Sequence, residues 1–200
     1  MTDEAEKRGP APPLPLPEGA PAGLRLVAAL SPDEQAEARA HVEALAFTHD
    51  RFRGRQMRRG YAQFGYAYVS TGRRLEPVTS IPGWLSRLST RARARAGLRE
   101  RPRFDQAIIT RYPKGAGIGW HTDAPVFGEL VLILSLGHAA RMQLRRDKHD
   151  AAPVSLELST GSALTLAGPA RARWQHRIAP VKALRYSITL RHVTPGGQSS

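Results

Sequence analysis

The sequence predicts a mainly β domain with flanking helices, an α+β arrangement built around a sandwich or barrel. From Phe104 on, short apolar or alternating runs recur at 104–112, 130–136, 140–145, 154–158, 162–167, 173–178 and 184–193, with turns between them marked by Gly115, Gly117, Gly137, Gly161, Gly168 and Pro180. Ahead of them lie two stretches whose apolar residues return at helical spacing. The chain has 200 residues, 41% of them apolar, which suits one domain with a real core.

Taken in order, residues 1–23 are rich in Pro, Ala and Glu and read as a flexible Pro-rich tail ahead of a single domain over 24–200. Ser31-Pro32-Asp33-Glu34 is a helix start: Ser31 caps, Pro32 suits the first turn and Glu34 completes a capping box. That helix is expected to run to about Phe47, with Ala36, Ala40, Val42, Leu45 and Ala46 as its apolar stripe. Between 51 and 74, Arg51, Arg53, Arg55, Arg58, Arg59, Arg73 and Arg74 interleave with Phe52, Met57, Tyr61, Phe64, Tyr66 and Tyr68, and Gly54, Gly60 and Gly65 break any long helix. Strands and turns follow, with Tyr66 and Tyr68 on one face. Aromatics among arginines suit base stacking beside a phosphate track, although an ordinary hairpin packed on a core has the same pattern. A second helix is expected from Pro82 to about Leu98, with Trp84, Leu85, Leu88 and Ala92 inward.

Composition narrows the function. No apolar run reaches 18 residues, so no membrane span is expected. Asp3, Glu4 and Glu6 open a chain without the apolar segment of a secretory signal, and there is no cysteine for disulfides or thiolate metal sites. A cytoplasmic, monomeric protein is expected. Net charge is +13, and 26 of the 30 basic residues are Arg. A GC-rich genome accounts for Arg over Lys but less well for the surplus of positive charge, which points to an anionic partner such as a phosphate backbone.

The chemistry gathers at Ile118 to Val126. If the segment is extended, His121 and Asp123 share a face. A later His would complete a 2-His-1-carboxylate triad with open positions on a non-haem Fe(II), and His176, just before the terminal strand, is the best candidate. His41, His49, His138, His149 and His192 lack such context and read as solvent or core residues. On the terminal strand, Arg185, Ser187, Thr189 and Arg191 share one face. Facing solvent the two arginines would be trivial, whereas inside a barrel they would need an anion such as a dicarboxylate.

Thr110-Arg111-Tyr112, Gly115, His121-x-Asp123, His176 and Arg185-x-Ser187-x-Thr189-x-Arg191 occur in one order that resembles the AlkB family of Fe(II)/2-oxoglutarate-dependent dioxygenases. The resemblance covers about 104–193 well and 50–100 more loosely. It implies a double-stranded β-helix (jelly-roll, cupin-like) barrel over about 104–193, with a nucleotide-recognition lid over about 50–75. It implies that Fe(II), 2-oxoglutarate and O2 serve the oxidative removal of N-linked alkyl groups from DNA or RNA bases, releasing formaldehyde and succinate. Carried over by position, His121, Asp123 and His176 hold iron, Arg185 pairs with the distal carboxylate of 2-oxoglutarate and Arg191 with the one near the metal. Tyr112 donates to the cosubstrate. Thr110 stands where some members have Asn, and Ser187 replaces a common Asn. Tyr66 matches the lid strand, and Arg58, Tyr61 and Phe64 beside it are the further substrate candidates. Trp120 reads as core or cosubstrate packing. Pro125 stands where the family often carries an acidic base-reading residue, with Glu129 as a possible substitute. Two readings stay beside this one: the same iron chemistry on a protein or small molecule, and a non-enzymatic basic binding module.

Overall fold

The computed structural model describes residues 9–52, 54–69, 74–100, 103–149 and 152–194. Arg53 and Arg73 of the lid, and residues 1–8 of the tail, lie outside the described residues.

Fourteen strands and three helices are described. In chain order they are β1 (Leu24–Ala28), α1 (Pro32–Glu43), β2 (Arg51–Phe52), β3 (Arg55–Gln56), β4 (Gly60–Phe64), β5 (Tyr66–Val69), β6 (Arg74–Pro77), α2 (Gly83–Arg95), β7 (Gln106–Tyr112), β8 (Ile118–His121), β9 (Phe127–Gly137), β10 (Ala140–Arg145), β11 (Val154–Leu158), β12 (Ser162–Leu166), α3 (Gly168–Ala172), β13 (Gln175–Ile178) and β14 (Arg185–Val193). Two antiparallel sheets make the body: a major sheet in the order β1-β12-β9-β14-β7-β4 and a minor sheet in the order β11-β10-β13-β8. Two hairpins, β2–β3 and β5–β6, form the lid. This is the double-stranded β-helix class the sequence predicts. The sheets face each other without closing into one hydrogen-bonded ring, so the barrel is an open sandwich.

Alternation along the strands divides the apolar residues into two cores. On one face of the major sheet Val27, Ala107, Ile109, Leu132, Leu134, Leu136, Ile188 and Leu190 meet the helices through Ala38, Val42, Leu85, Leu88 and Ala92. On the other face Leu24, Leu26, Val131, Ile133, Leu164 and Leu166 meet Met142, Leu144, Leu156, Leu158 and Ile178 of the minor sheet.

The α1 cap forms as the sequence predicts, with Ser31 and Glu34 in a reciprocal capping box. The helix ends at Glu43, short of Phe47, and turns Ala38 and Val42 inward while Ala36 and Ala40 face solvent. Residues 9–23 do not hang free: Ala11 is buried, its N–H bonds the Arg95 carbonyl, and Pro13 bridges Val27 beside a Leu14 N–H to Leu26 O bond. β1 and α3 are two elements the sequence reading lacks. Between β4 and β5, Gly65 takes φ +77° against the Asp105 carbonyl, where a Cβ has no room. That turn carries the lid off the major sheet.

Candidate active site

One end of the gap between the sheets opens into a cavity of about 1200 Å³. Its walls come from the inward faces of β7, β8, β9, β10, β13 and β14, and its rim from the lid, the adjoining β4 and the segment 122–127.

His121 and His176 are direct cross-strand partners in the β8–β13 pair. Antiparallel pairing therefore sets two imidazoles on the same inward face, with ring centroids 4.3 Å apart and planes tilted by 57°. His121 Nδ1 lies 2.9 Å from the Gly119 carbonyl, to which it donates, so the lone pair sits on Nε2. Asp123 follows as the chain leaves β8, and its Oδ2 stands 3.8 Å from His176 Nε2.

Asp123 is buried, and burial alone would raise its pKa. Arg191, His176, Arg171 and His121 outweigh that cost and hold it below the usual carboxylate value. His176 is pushed down to about 4, first by burial and then by His121, against the opposing pull of Asp123. A neutral imidazole with a free lone pair and an ionised carboxylate are the protonation states that metal ligation requires.

The donor set fits an iron with open positions. His176 Nε2 and Asp123 Oδ2 stand 3.8 Å apart, wider than the roughly 3 Å between adjacent donors about 2.1 Å from one octahedral ion, so the two would draw together to share it. Among the described residues, however, no three His, Cys, Asp or Glu side chains stand as a finished metal cage. Asp123 Oδ1 is held at 2.7 Å by Arg191 Nη2, so one carboxylate oxygen is already committed. The other remains for a shared ion.

The β14 register brings the cosubstrate candidates together: Arg185 lies across from Tyr112, Ser187 from Thr110 and Ser135, and Arg191 from Gln106. Ser187, Thr110, Tyr112 and Arg191 line the cavity with Thr189. Arg185 is 0% exposed behind them. Its Nη2 donates to Ser135 Oγ at 3.1 Å and its carbon lies 5.4 Å from the centre of the Tyr112 ring, while Nε and Nη1 have no hydrogen-bond partner among the described residues. No carboxylate among the described residues pairs with it. A buried guanidinium left unneutralised fits a carboxylate supplied by a ligand. Burial also keeps the Tyr112 phenol protonated, its pKa raised despite Arg185, so it can donate.

The stretch from 50 to 75 differs from the expectation in detail. Tyr61 reaches the cavity and donates to Asp50 Oδ1 at 2.8 Å. Tyr68, not Tyr66, is the β5 tyrosine that lines it, packed at 5.9 Å against Phe127. Arg59, not Arg58, is the lining arginine, because Arg58 donates to the Lys114 carbonyl at 2.6 Å. Phe64 points the other way, into the core beneath the helices. Pro125 lines the cavity, whereas Glu129 is exposed on β9 and does not. Asp50 and Asp123 are the acidic residues of the lining. Trp120 is neither core nor cavity wall; it lies on the outward side of β8, against Arg145 and Arg177.

Sequence reasoning missed Arg171. From the short α3 its guanidinium donates to the carbonyls of Asp123 (3.1 Å), Ala124 (2.9 Å) and Phe127 (2.7 Å). One buried side chain thus holds the whole turn after the carboxylate. A Gly-Pro before His176 suggested only a turn, and nothing in the local pattern separates Arg171 from its neighbour Arg173, which is exposed.

The family model described as the 2OG-Fe(II) oxygenase superfamily matches residues 26–191. No protein of curated function matches the chain. Among solved structures, OsALKBH1 is similar with a TM-score of 0.71 at 19% identity, over 89% of this chain and 100% of that one. A 2OG-Fe(II) oxygenase family oxidoreductase from Burkholderia pseudomallei is similar with a TM-score of 0.60 at 17% identity, over 89% and 93%. At these identities the likeness is one of fold.

Proposed function

Because the chain belongs to the 2OG-Fe(II) oxygenase superfamily, and is thus a dioxygenase that uses Fe(II), 2-oxoglutarate and O2, we propose that it removes N-linked alkyl groups from nucleic-acid bases. The observation that carries this reading is the cavity rim: Tyr61, Tyr68 and Arg59 face a pocket that also holds the His121–Asp123–His176 trio, on a chain of net charge +13. Two tyrosines offer stacking surfaces for a base, and the arginine and the overall charge suit its phosphate backbone. The fold shared with OsALKBH1 and the AlkB-like order of the site residues support the same substrate class.

In this proposal His121, Asp123 and His176 hold the iron. Arg185 grips the distal carboxylate of 2-oxoglutarate, and Tyr112, Thr110 and Ser187 line its length. Arg191 fixes the orientation of Asp123 and meets the carboxylate nearer the metal. When bound, the iron with O2 and 2-oxoglutarate supplies the oxidising power that inserts one oxygen atom into a C–H bond, the other atom leaving in succinate as CO2 is lost. The chain's own contribution is position and environment. The lid holds the extruded base with its alkyl carbon toward the trio, and the apolar wall of Ile118, Ile133, Met142 and Ile178 limits water around the reacting carbon. A hydroxymethyl group left on a base nitrogen then breaks its C–N bond, releasing formaldehyde and returning the proton to the nitrogen.

The test is a panel of single- and double-stranded DNA and RNA carrying different N-methylated bases, with product mass and succinate as readouts. Loss of one methylene-equivalent mass from a base, coupled to succinate, is expected. Succinate formation driven only by a protein or small molecule, with every oligonucleotide inert, overturns the proposal.

A further inference from the structure

The outward face of the minor sheet carries an array that the reaction chemistry does not use. Arg145 lies directly across from Gln175, and Gln143 across from Arg177, in the β10–β13 pair. Arg145 Nε donates to Gln175 Oε1 at 2.9 Å, and Arg177 Nε donates to Gln143 Oε1 at 2.7 Å. Gln143 in turn donates to Ser155 Oγ at 3.2 Å on the next strand. Trp120, on edge strand β8, lies against both guanidinium groups, their central carbons 4.3 Å and 4.7 Å from its ring centre.

Two glutamines and one indole therefore fix two arginines that ordinarily sample many rotamers. Each uses Nε inward and leaves its terminal nitrogens with no further hydrogen-bond partner among the described residues. No described carboxylate pairs with either. Glu157, the acidic residue on this face, sits across from Arg141 on β11, three strands from Trp120 and so about 14 Å away. The half of the face next to β8 is thus positively charged, rigid and unneutralised, with two planar donor forks of the kind that grip phosphate oxygens. It also adjoins the cavity: Trp120 and His121 are consecutive on β8 and point to opposite sides of the sheet.

We propose that Arg145, Arg177 and Trp120 form a second binding site, a phosphodiester track that engages the nucleic-acid strand beyond the nucleotide held in the cavity. This rests on the nucleic-acid reading above. Charge complementarity selects the partner. The track would bind any sequence, because it reads phosphates and not base edges. It would contribute to binding of long strands and little to that of short ones.

The test compares the wild-type chain with R145Q/R177Q, which removes both charges and keeps an amide at each Gln-facing position. Fluorescent unmodified single-stranded DNA of roughly 4 and roughly 20 nucleotides serves as probe, with anisotropy followed against salt and circular-dichroism melting as the fold check. For the long strand the double variant should lose about 1.4 from the slope of log affinity against log salt, two phosphate contacts at about 0.7 each. The short strand should show a much smaller change. R145K/R177K, which keeps both charges, should hold most of the slope and so separates charge loss from any disturbance of the sheet. An unchanged long-strand slope in R145Q/R177Q overturns the track alone. Polyglutamate binding that falls in the variant while the DNA slope stays fixed also overturns it, assigning the face to an acidic protein. No DNA binding by the wild type at low salt overturns both the track and the nucleic-acid reading.

Discussion

Arg185 and Ser135 are joined by a single 3.1 Å hydrogen bond in the interior of the sandwich, and among the described residues this is the one hydrogen bond of a guanidinium with 0% exposure. The serine hydroxyl cannot neutralise it, and burial pushes the arginine's pKa below its usual value. Without a ligand, Arg185 is a destabilising feature. Arg185→Met should therefore leave the thermal stability of the ligand-free protein equal or higher, while 2-oxoglutarate affinity falls by about 3 kcal/mol, roughly a hundredfold or more. Calorimetric titration with 2-oxoglutarate, beside melting curves without it, gives both numbers. A variant that binds 2-oxoglutarate like the wild type removes Arg185 from the site.

The Arg171 clamp predicts a different signature. Three carbonyls, those of Asp123, Ala124 and Phe127, lose a charged donor in Arg171→Met. The cost to stability should be about 3 kcal/mol or more. Because the turn carries the carboxylate of the trio, affinity for Mn(II) as an iron substitute should fall about 10- to 100-fold. Hydrogen exchange of the amides at 124 and 126–128 should speed up, more than in the distant β10–β11 pair. Stability loss with intact Mn(II) affinity would make Arg171 a structural residue only.

His176 gives the metal-free protein a pH dependence of definite sign. Its folded pKa of about 4 lies below the value of about 6.5 expected when unfolded, so the folded state binds fewer protons between those values. Stability should be full above pH 6.5 and fall as pH drops from about 6.5 toward about 4, by up to about 3 kcal/mol in total. Asp123, also depressed, removes further stability below that window. Urea unfolding of the apo protein at several pH values measures this, and His176→Gln should flatten the profile between about 4 and 6.5. Divalent-metal affinity should decline over the same window, since protons compete for the imidazole.

Phe64 and Tyr68 are four residues apart and should behave as opposites. Phe64→Ala empties a buried position under the helices and should cost about 3–5 kcal/mol, with little effect on the cavity wall. Tyr68→Ala removes a half-buried ring at the rim and should cost far less stability. Oligonucleotide KM should rise severalfold in Tyr68→Ala, with kcat less affected. Equal effects of the two substitutions on KM would contradict the division of the 60–69 stretch between core and rim.

Much of the fold is legible in the chain because its cues are local. The capping box at Ser31 and Glu34 and the two-residue alternation of 185–191 each depend on near neighbours, and both appear where the pattern puts them. The pairing of His121 with His176 is of another kind: each strand is readable, but their register emerges only when the sheet forms. What stayed hidden depends on direction. Tyr66 and Tyr68 share a face of β5, yet only Tyr68 stands over the cavity, which no spacing reveals. Arg171 and Arg173 look alike in sequence and differ because a helix of five residues turns one inward. The prolines before residue 24 suggest looseness, yet they also suit a segment that lies along an edge with few N–H groups to donate, Leu14 supplying the one that bonds β1.

This proline-rich cover bears on solubility. β1 is the outermost strand of the six-stranded sheet, and an open strand of this type invites another molecule to add itself there. The run from Ala11 to Leu14 occupies that flank through Pro13 and a single amide bond from Leu14, and Pro12, Pro13, Pro15 and Pro17 lack the N–H groups that a growing stack of strands would need. The segment thus acts as a doorstop: trimming the protein back to residue 24 should leave the catalytic residues in place and produce a species that clumps on storage.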